Sequence, residues 1–307
     1  MIHWLVAGVG DIAKKRVIPA ILSERRSRLA AVVTSAPEKA AAYGVPGYGT
    51  VEEGLADPAV TALYVATPVA MHRGAVLAAI RQGKHVLCEK PVAMDYGQAL
   101  EMAAAAEGSG VVCAVAYYRR LYPKVMEAKR LMAAGAIGQP VLAELNCHGW
   151  FNPVDGFRSW LVEPALAGGG PLYDIGSHRI DLLNYWFGKP ERATGFVSNS
   201  VHRYGVADNA TVMIEYAGGV RGIVDVRWHS RAERDQCRII GTEGMLELDP
   251  LNSPRLGTPA GVLELPPHAN LHYPLVHDFV NAVLDGGAVA CPIQEAISTD
   301  WVTGQVR

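Results

Sequence analysis

Five short, nearly unbroken apolar runs recur through the first 120 residues: Ile2–Ala7, Leu29–Thr34, Ala62–Thr67, His85–Glu89 and Val111–Ala116. Between them lie Val17–Arg25, Ala36–Tyr43, His72–Gln82 and Tyr96–Glu107, each with helical spacing or strong helix formers. A strand that is apolar throughout must be covered on both faces, and helices alternating with such strands supply that cover. The alternation therefore predicts an α/β fold, a doubly wound parallel sheet with helices on either side.

After Pro123 the rhythm changes. A helix-like stretch, Val125–Ala134, leads through Gly135 and Gly138-Gln139-Pro140 to a strand, Val141–Cys147. A loop-rich aromatic stretch runs from Trp150 to Gly170, followed by an apolar helix, Ile175–Phe187. Strands separated by turn signals come next: Ala193–Ser198, Ala210–Tyr216, Val220–Trp228, Arg238–Gly241 and Met245–Leu248, with Ala217-Gly218-Gly219 as a hairpin turn. This pattern predicts an α+β domain with a mostly antiparallel open sheet. A chain of 307 residues is long for one core. The expected division is residues 1–120 and residues 121–307.

Directly after the first apolar run, Gly8-Val9-Gly10-Asp11-Ile12-Ala13 opens a helix. In that context the first glycine permits a tight turn, the second lets a pyrophosphate approach the backbone, and Ala13 keeps helix and strand close. The helix N-terminus adds unpaired N–H groups and a positive dipole end. The N-terminal domain thus carries the fingerprint of a Rossmann dinucleotide site. An NAD site usually has an acid at the end of the second strand for the ribose 2′-hydroxyl. Here Thr34 and Ser35 stand there instead, two hydroxyls that could meet a 2′-phosphate without opposing its charge, with Lys14, Lys15 or Lys39 as nearby cations. The expectation is NADP or NAD, with a modest preference for NADP.

Composition narrows the function. The net charge of -2 gives no reason to expect nucleic acid or an anionic membrane as partner. No window approaches a membrane span, and Met1–Gly10 lacks the basic leader of a targeting segment. The five cysteines are scattered and never spaced as C-x-x-C, and His148, His229 and His272 carry no metal spacing. We expect a cytoplasmic protein with no metal.

Three further segments recur in order. The third strand ends Ala66-Thr67-Pro68, with His72 just beyond; the fourth ends Cys88-Glu89-Lys90-Pro91; far downstream comes Gly168-Gly169-Gly170-Pro171-Leu172-Tyr173-Asp174-Ile175-Gly176-Ser177-His178. Ligands of open α/β sheets bind at the carboxyl ends of the strands, where Gly8–Ala13, Thr67 and Lys90 fall. His72 and Glu89 join Thr67 and Pro68 as candidate cofactor neighbours.

This ordered set resembles the glucose–fructose oxidoreductase / inositol dehydrogenase / rhizopine-catabolism (Gfo/Idh/MocA) family over nearly the whole chain. The resemblance implies that Lys90, Asp174 and His178 line the substrate site, that Thr67 and Pro68 border the cofactor, and that the C-terminal sheet forms an oligomer interface. The chain departs from the pattern at Tyr118, where many relatives have asparagine. Physical chemistry agrees with the implied roles. Asp174 and His178, four apart at a helix start, project from one face. A carboxylate beside an imidazole fixes its tautomer, as an acid/base catalyst requires. The Lys90 ammonium can favour developing alkoxide charge. Arg158 and Trp160, with Tyr118, are candidate substrate contacts, and Asp181 reads as a structural acid. The implied reaction is hydride transfer between a nicotinamide and a carbinol or carbonyl of a sugar, polyol or related cyclic alcohol, in a homo-oligomer. Two alternatives are a glycoside-cleaving hydrolase that uses NAD transiently, and a non-catalytic dinucleotide-responsive binding protein.

Overall fold

The computed structural model describes residues 1–36, 38–153 and 158–306, without the side chains of Glu38 and Lys39. Two compact units emerge, each with its own sheet: Met1–Tyr118 with His268–Ile297, and Arg119–Pro267 with Ser298–Arg307.

The first unit is built on six parallel strands, β1 (Ile2–Ala7), β2 (Ser27–Val33), β3 (Gly47–Tyr48), β4 (Ala62–Val65), β5 (His85–Cys88) and β6 (Cys113–Val115), in the order β3-β2-β1-β4-β5-β6. The five apolar runs all became strands. The short β3 has no apolar run to announce it and pairs with β2 through Val32 and Val33 alone. Leu5, Leu63, Val65 and Val86 are fully buried, as strands covered on both faces require. The helix Tyr96–Ala106 starts where Asp95 accepts the Gln98 N–H at 2.9 Å, a side-chain cap that satisfies one of its free amides.

The expected boundary at residue 120 omitted a return of the chain. Residues His268–Ile297 pack into the first unit. The helix Tyr273–Asp285 buries Leu275, Val276, Phe279 and Val280, with Phe279 5.0 Å from the ring of Trp4 on β1. Farther on, Cys291 and Pro292 lie along the edge of β6, where the Val115 N–H donates to the Cys291 carbonyl at 3.0 Å. A helix face of this kind gives no hint in sequence of which sheet it will cover.

The second unit holds eight strands, β7 (Pro140–Trp150), β8 (Pro190–Ser198), β9 (Asn209–Tyr216), β10 (Arg221–Arg227), β11 (His229–Gly241), β12 (Met245–Glu247), β13 (Arg255–Thr258) and β14 (Gly261–Glu264), ordered β14-β13-β12-β11-β7-β10-β9-β8. All neighbours are antiparallel except β10 and β7. The turn at Ala217-Gly218-Gly219 joins β9 to β10. Val212, Ile214 and Tyr216 point inward while Met213 faces out, the alternation of a sheet covered on one side. Lys124, on the helix Pro123–Ala133, is fully buried and donates to the carbonyls of Leu248, Pro250 and Arg255 at 2.9, 2.8 and 3.3 Å. One ammonium thereby fastens the segment between β12 and β13. Among the described residues no helix is long and apolar enough to cross a membrane.

Candidate active site

Strand order in the first unit reverses between β1 and β4, and a crevice at such a switch point is where open α/β sheets bind ligands. Gly8 turns there with φ 91°, and a Cβ on it would stand 2.6 Å from the Ala66 carbonyl oxygen at the end of β4. Only glycine allows β1 and β4 to end so close together. A Cβ at Gly10 would meet nothing within 4 Å, so the backbone is open on that side. Ala13 is buried at the start of a π-helical turn, Ala13–Val17, that continues into the helix Ile18–Ser23. Asp11 is exposed and pairs with Lys15 at 2.8 Å. The Thr67 Oγ1, just past β4, is buried and has no hydrogen-bond partner among the described residues. An open amide turn next to a residue with an unsatisfied hydroxyl fits a dinucleotide bound across the switch point.

The second strand end differs from expectation in one respect. Thr34 is buried, and its hydroxyl closes a local turn by accepting the Ala36 N–H at 3.2 Å. Ser35 alone is exposed there. The side chain of Lys39 lies outside the described residues.

Two expected cofactor contacts serve elsewhere. His72 is 1% exposed, with Nδ1 3.1 Å from the Pro91 carbonyl and Nε2 3.0 Å from the Thr67 carbonyl. It ties the loop after β4 to the loop after β5, and it offers no surface to a ligand. Burial lowers its pKa, an effect the two carbonyls partly offset. Glu89 is buried as well. Its carboxylate accepts from the Tyr64 hydroxyl at 2.8 Å and lies 3.3 Å from the His272 Nε2. Burial pushes the Glu89 carboxyl up, but the His272 hydrogen bond and charge, Lys90 and the Tyr64 hydroxyl outweigh that and hold it below the usual carboxylate range. Tyr64 is raised well above its ordinary value by burial and by Glu89, so it remains a donor. Lys90 follows, half-buried, and joins Pro91 through a cis peptide bond.

In the second unit Asp174 sits in a π-helical turn, Leu172–Gly176, and His178 in the α-helix Ser177–Phe187 that continues it. The sequence suggested one regular helix start. Local π turns appear frequently at functional sites. Gly170 carries φ 59°, and a Cβ on it would overlap the Ala207 carbonyl, so the glycine run packs directly on the segment before β9. Arg158 reaches Asp174 at 3.2 Å and stands over the Phe151 ring at 4.9 Å. Trp160 packs partly buried against a cluster of Leu161, Ala167, Val206 and Trp228, a structural placement. Asp181 pairs with Arg120 at 2.8 Å, both buried, which makes it a structural acid.

Three residues with roles in this arrangement escaped the sequence reading: His272, Tyr64 and Asp208. Asp208 is fully buried and accepts the N–H groups of Val201 and His202, both at 2.8 Å, and that of Ser200 at 3.1 Å. Burial opposes its ionisation, but these amides and the Asn209 side chain prevail and bring its carboxyl down to about 2. Among the described residues no group of three His, Cys, Asp or Glu side chains is arranged to hold a metal.

Comparison with known proteins follows the same division. Residues 2–117 match the model of an oxidoreductase family with an NAD-binding Rossmann fold, and residues 125–247 match the GFO/IDH/MocA C-terminal domain. The chain is 34% identical over 253 residues to 1,5-anhydro-D-fructose reductase of Ensifer adhaerens, covering 80% of this chain and 75% of that protein. It is 36% identical over 218 residues to trans-1,2-dihydrobenzene-1,2-diol dehydrogenase of Oryctolagus cuniculus, covering 69% and 63%. Among solved structures, the aldose-aldose oxidoreductase of Caulobacter crescentus complexed with glycerol superposes with a TM-score of 0.88 at 25% identity, covering 98% of this chain and 95% of that one.

Proposed function

The chain belongs to the GFO/IDH/MocA family of NAD-binding oxidoreductases, and within it we propose hydride transfer at the carbinol or carbonyl carbon of a sugar, polyol or related cyclic alcohol. The observation that carries this reading is the open Gly8–Gly10 turn packed against the backbone of Ala66 and Thr67 at the switch point, with the Thr67 hydroxyl buried and unsatisfied among the described residues. The two relatives support the substrate class, since both are named for chemistry on oxygenated rings.

A bound nicotinamide supplies the hydride acceptor or donor. His178 takes the hydroxyl proton in oxidation and returns it in reduction. Lys90 orients the oxygen and favours its anionic form, and Asp174 positions the imidazole or a neighbouring hydroxyl. Arg158, which donates to Asp174 at 3.2 Å, is a further candidate substrate contact. The exposed Ser35, with no acid at the end of β2, favours a modest preference for NADP with tolerance of NAD. The outward face of the second sheet carries Phe196, 81% exposed, and Met213, 48% exposed, which suits a homo-oligomeric contact. The scattered cysteines suit a cytoplasmic setting.

The test is turnover over a panel of polyols, aldoses and cyclic alcohols, followed by nicotinamide absorbance with each cofactor. His178→Asn should keep dinucleotide affinity and lose about 10²–10⁴-fold in kcat. A variant keeping more than about a third of wild-type kcat would remove His178 from the mechanism. Sugar released without net change in absorbance would replace the dehydrogenase by a hydrolase.

A further inference from the structure

Glu89 stands between the last residue of β5 and Lys90, and it is buried. Its carboxylate is enclosed by Tyr64 from β4, by the Lys90 N–H at 3.4 Å, and by His272 from a segment far along the chain. His272 is 2% exposed and immediately precedes the helix Tyr273–Asp285; its own N–H donates to the Asn270 Oδ1 at 3.0 Å. Its ring lies against that of Tyr118, with centroids 4.7 Å apart and planes tilted by 32°. The Nδ1 is buried with no hydrogen-bond partner among the described residues, so the Nε2 contact to Glu89 is the one polar tie orienting this ring.

We propose that His272 and Glu89 form a buried positioning couple, His272 holding Glu89 anionic beside Lys90 and seating Tyr118 against its own ring. The inference rests on the reading of Lys90 as the group that orients the reacting oxygen. Two segments with no sequence proximity then converge on Glu89, the residue before Lys90. A buried carboxylate keeps its charge only while donors and cations satisfy it. Around Glu89 the ionisable groups are Tyr64 on the adjacent strand β4, Cys88 just before it on β5, His72 on the helix after β4, Lys90 just after it, and His272. Tyr64 stays a neutral donor and burial disfavours the charged form of His72, so the His272 donor is the removable support. Without it Glu89 takes up a proton, and Lys90 loses the favourable charge of a neighbouring anion. Tyr118 gains its seat from the same ring, a contact that asparagine at this position could not make.

Two variants separate the halves of the couple. His272→Gln carries an amide N–H to where Nε2 stood but has no ring; His272→Phe keeps a ring but donates nothing. In ligand-free protein labelled with ¹³C-carboxyl glutamate, the Glu89 resonance, assigned with Glu89→Gln, should titrate higher by about one pH unit or more in His272→Phe. It should stay near wild type in His272→Gln. In turnover His272→Phe should gain an acidic limb that tracks the raised Glu89 titration, kcat falling about tenfold one pH unit below it, with KM for the dinucleotide changing less than about twofold. His272→Gln should show no new limb. Tyr64→Phe, which keeps its ring and removes the other donor, should raise the Glu89 titration in the same direction and serves if His272→Phe does not fold. An unchanged Glu89 titration in both donor-deleted variants, or a kcat–pH profile of His272→Phe superimposable on wild type, overturns the couple. Full kcat in Lys90→Met would instead overturn the role of Lys90 on which the inference rests, whatever the carboxyl titration shows.

Discussion

Replacing Asp208 with asparagine removes a buried charge that holds together the segment from Ser198 to Asp208. Its carboxylate gathers three consecutive backbone N–H groups, those of Ser200, Val201 and His202, and the Asn209 amide at 2.9 Å. Next to it the Ala207 carbonyl abuts Gly170, four residues before Asp174. The carboxyl lies at about 2 in the folded protein, against about 3.9 in an unfolded chain. That difference corresponds to about 2–3 kcal/mol of stability at neutral pH. The folded-state value is the depressed one, so the stabilisation is complete above the unfolded value and is lost as pH falls through about 2. By pH 3 roughly half of it should remain. Asparagine offers one acceptor and turns an N–H₂ toward donors, so the variant loses the charge-assisted bonds and cannot titrate. The assay is urea unfolding followed by tryptophan fluorescence, for which Trp228 is well placed because it is buried and its backbone N–H donates to the Asp208 backbone carbonyl at 2.9 Å. Wild type should exceed Asp208→Asn by about 2–3 kcal/mol at pH 7 and by about half that at pH 3. A difference that is constant between those pH values, or below about 0.5 kcal/mol at pH 7, would refute the argument.

Two further perturbations probe other parts of the design. Lys124→Met removes a buried ammonium shared by three carbonyls, one of them buried, and should cost roughly 3 kcal/mol, lowering Tm by about 6–12 °C in calorimetry; a fall under about 2 °C would mean that the segment between β12 and β13 is held by other contacts. Ser35→Asp places a carboxylate at the exposed end of β2 and should shift the ratio of kcat/KM toward NAD by about tenfold or more, while wild type favours NADP modestly; a wild-type preference for NAD above about tenfold contradicts the reading of the second strand end.

What was legible in the sequence divides by the range of the interaction that fixes each residue. Apolar runs announce strands covered on both faces because burial acts on each run by itself, so β1, β2, β4, β5 and β6 could be read directly. The glycines at 8 and 10 were legible for the same reason, since a turn's geometry is a local demand. The helix Tyr273–Asp285 was not assigned to the first unit, because its apolar stripe would suit either sheet and only the Trp4–Phe279 contact decides. Motif order identified the residues around Thr67, Glu89 and Asp174 but could not separate those that face a ligand from those that hold the loops. Glu89 and His72 stand inside motifs and are spent on Tyr64, His272 and two backbone carbonyls. Thr34 likewise occupies the expected position and uses its hydroxyl on Ala36. Polar side chains next to a ligand-binding turn face two competing demands, and burial settles which one each meets: a group that water cannot reach must be satisfied by the protein itself. By that criterion the buried Thr67 hydroxyl, one of several buried polar atoms that the described protein leaves unsatisfied, is the one beside the Gly8 turn that a bound dinucleotide would satisfy.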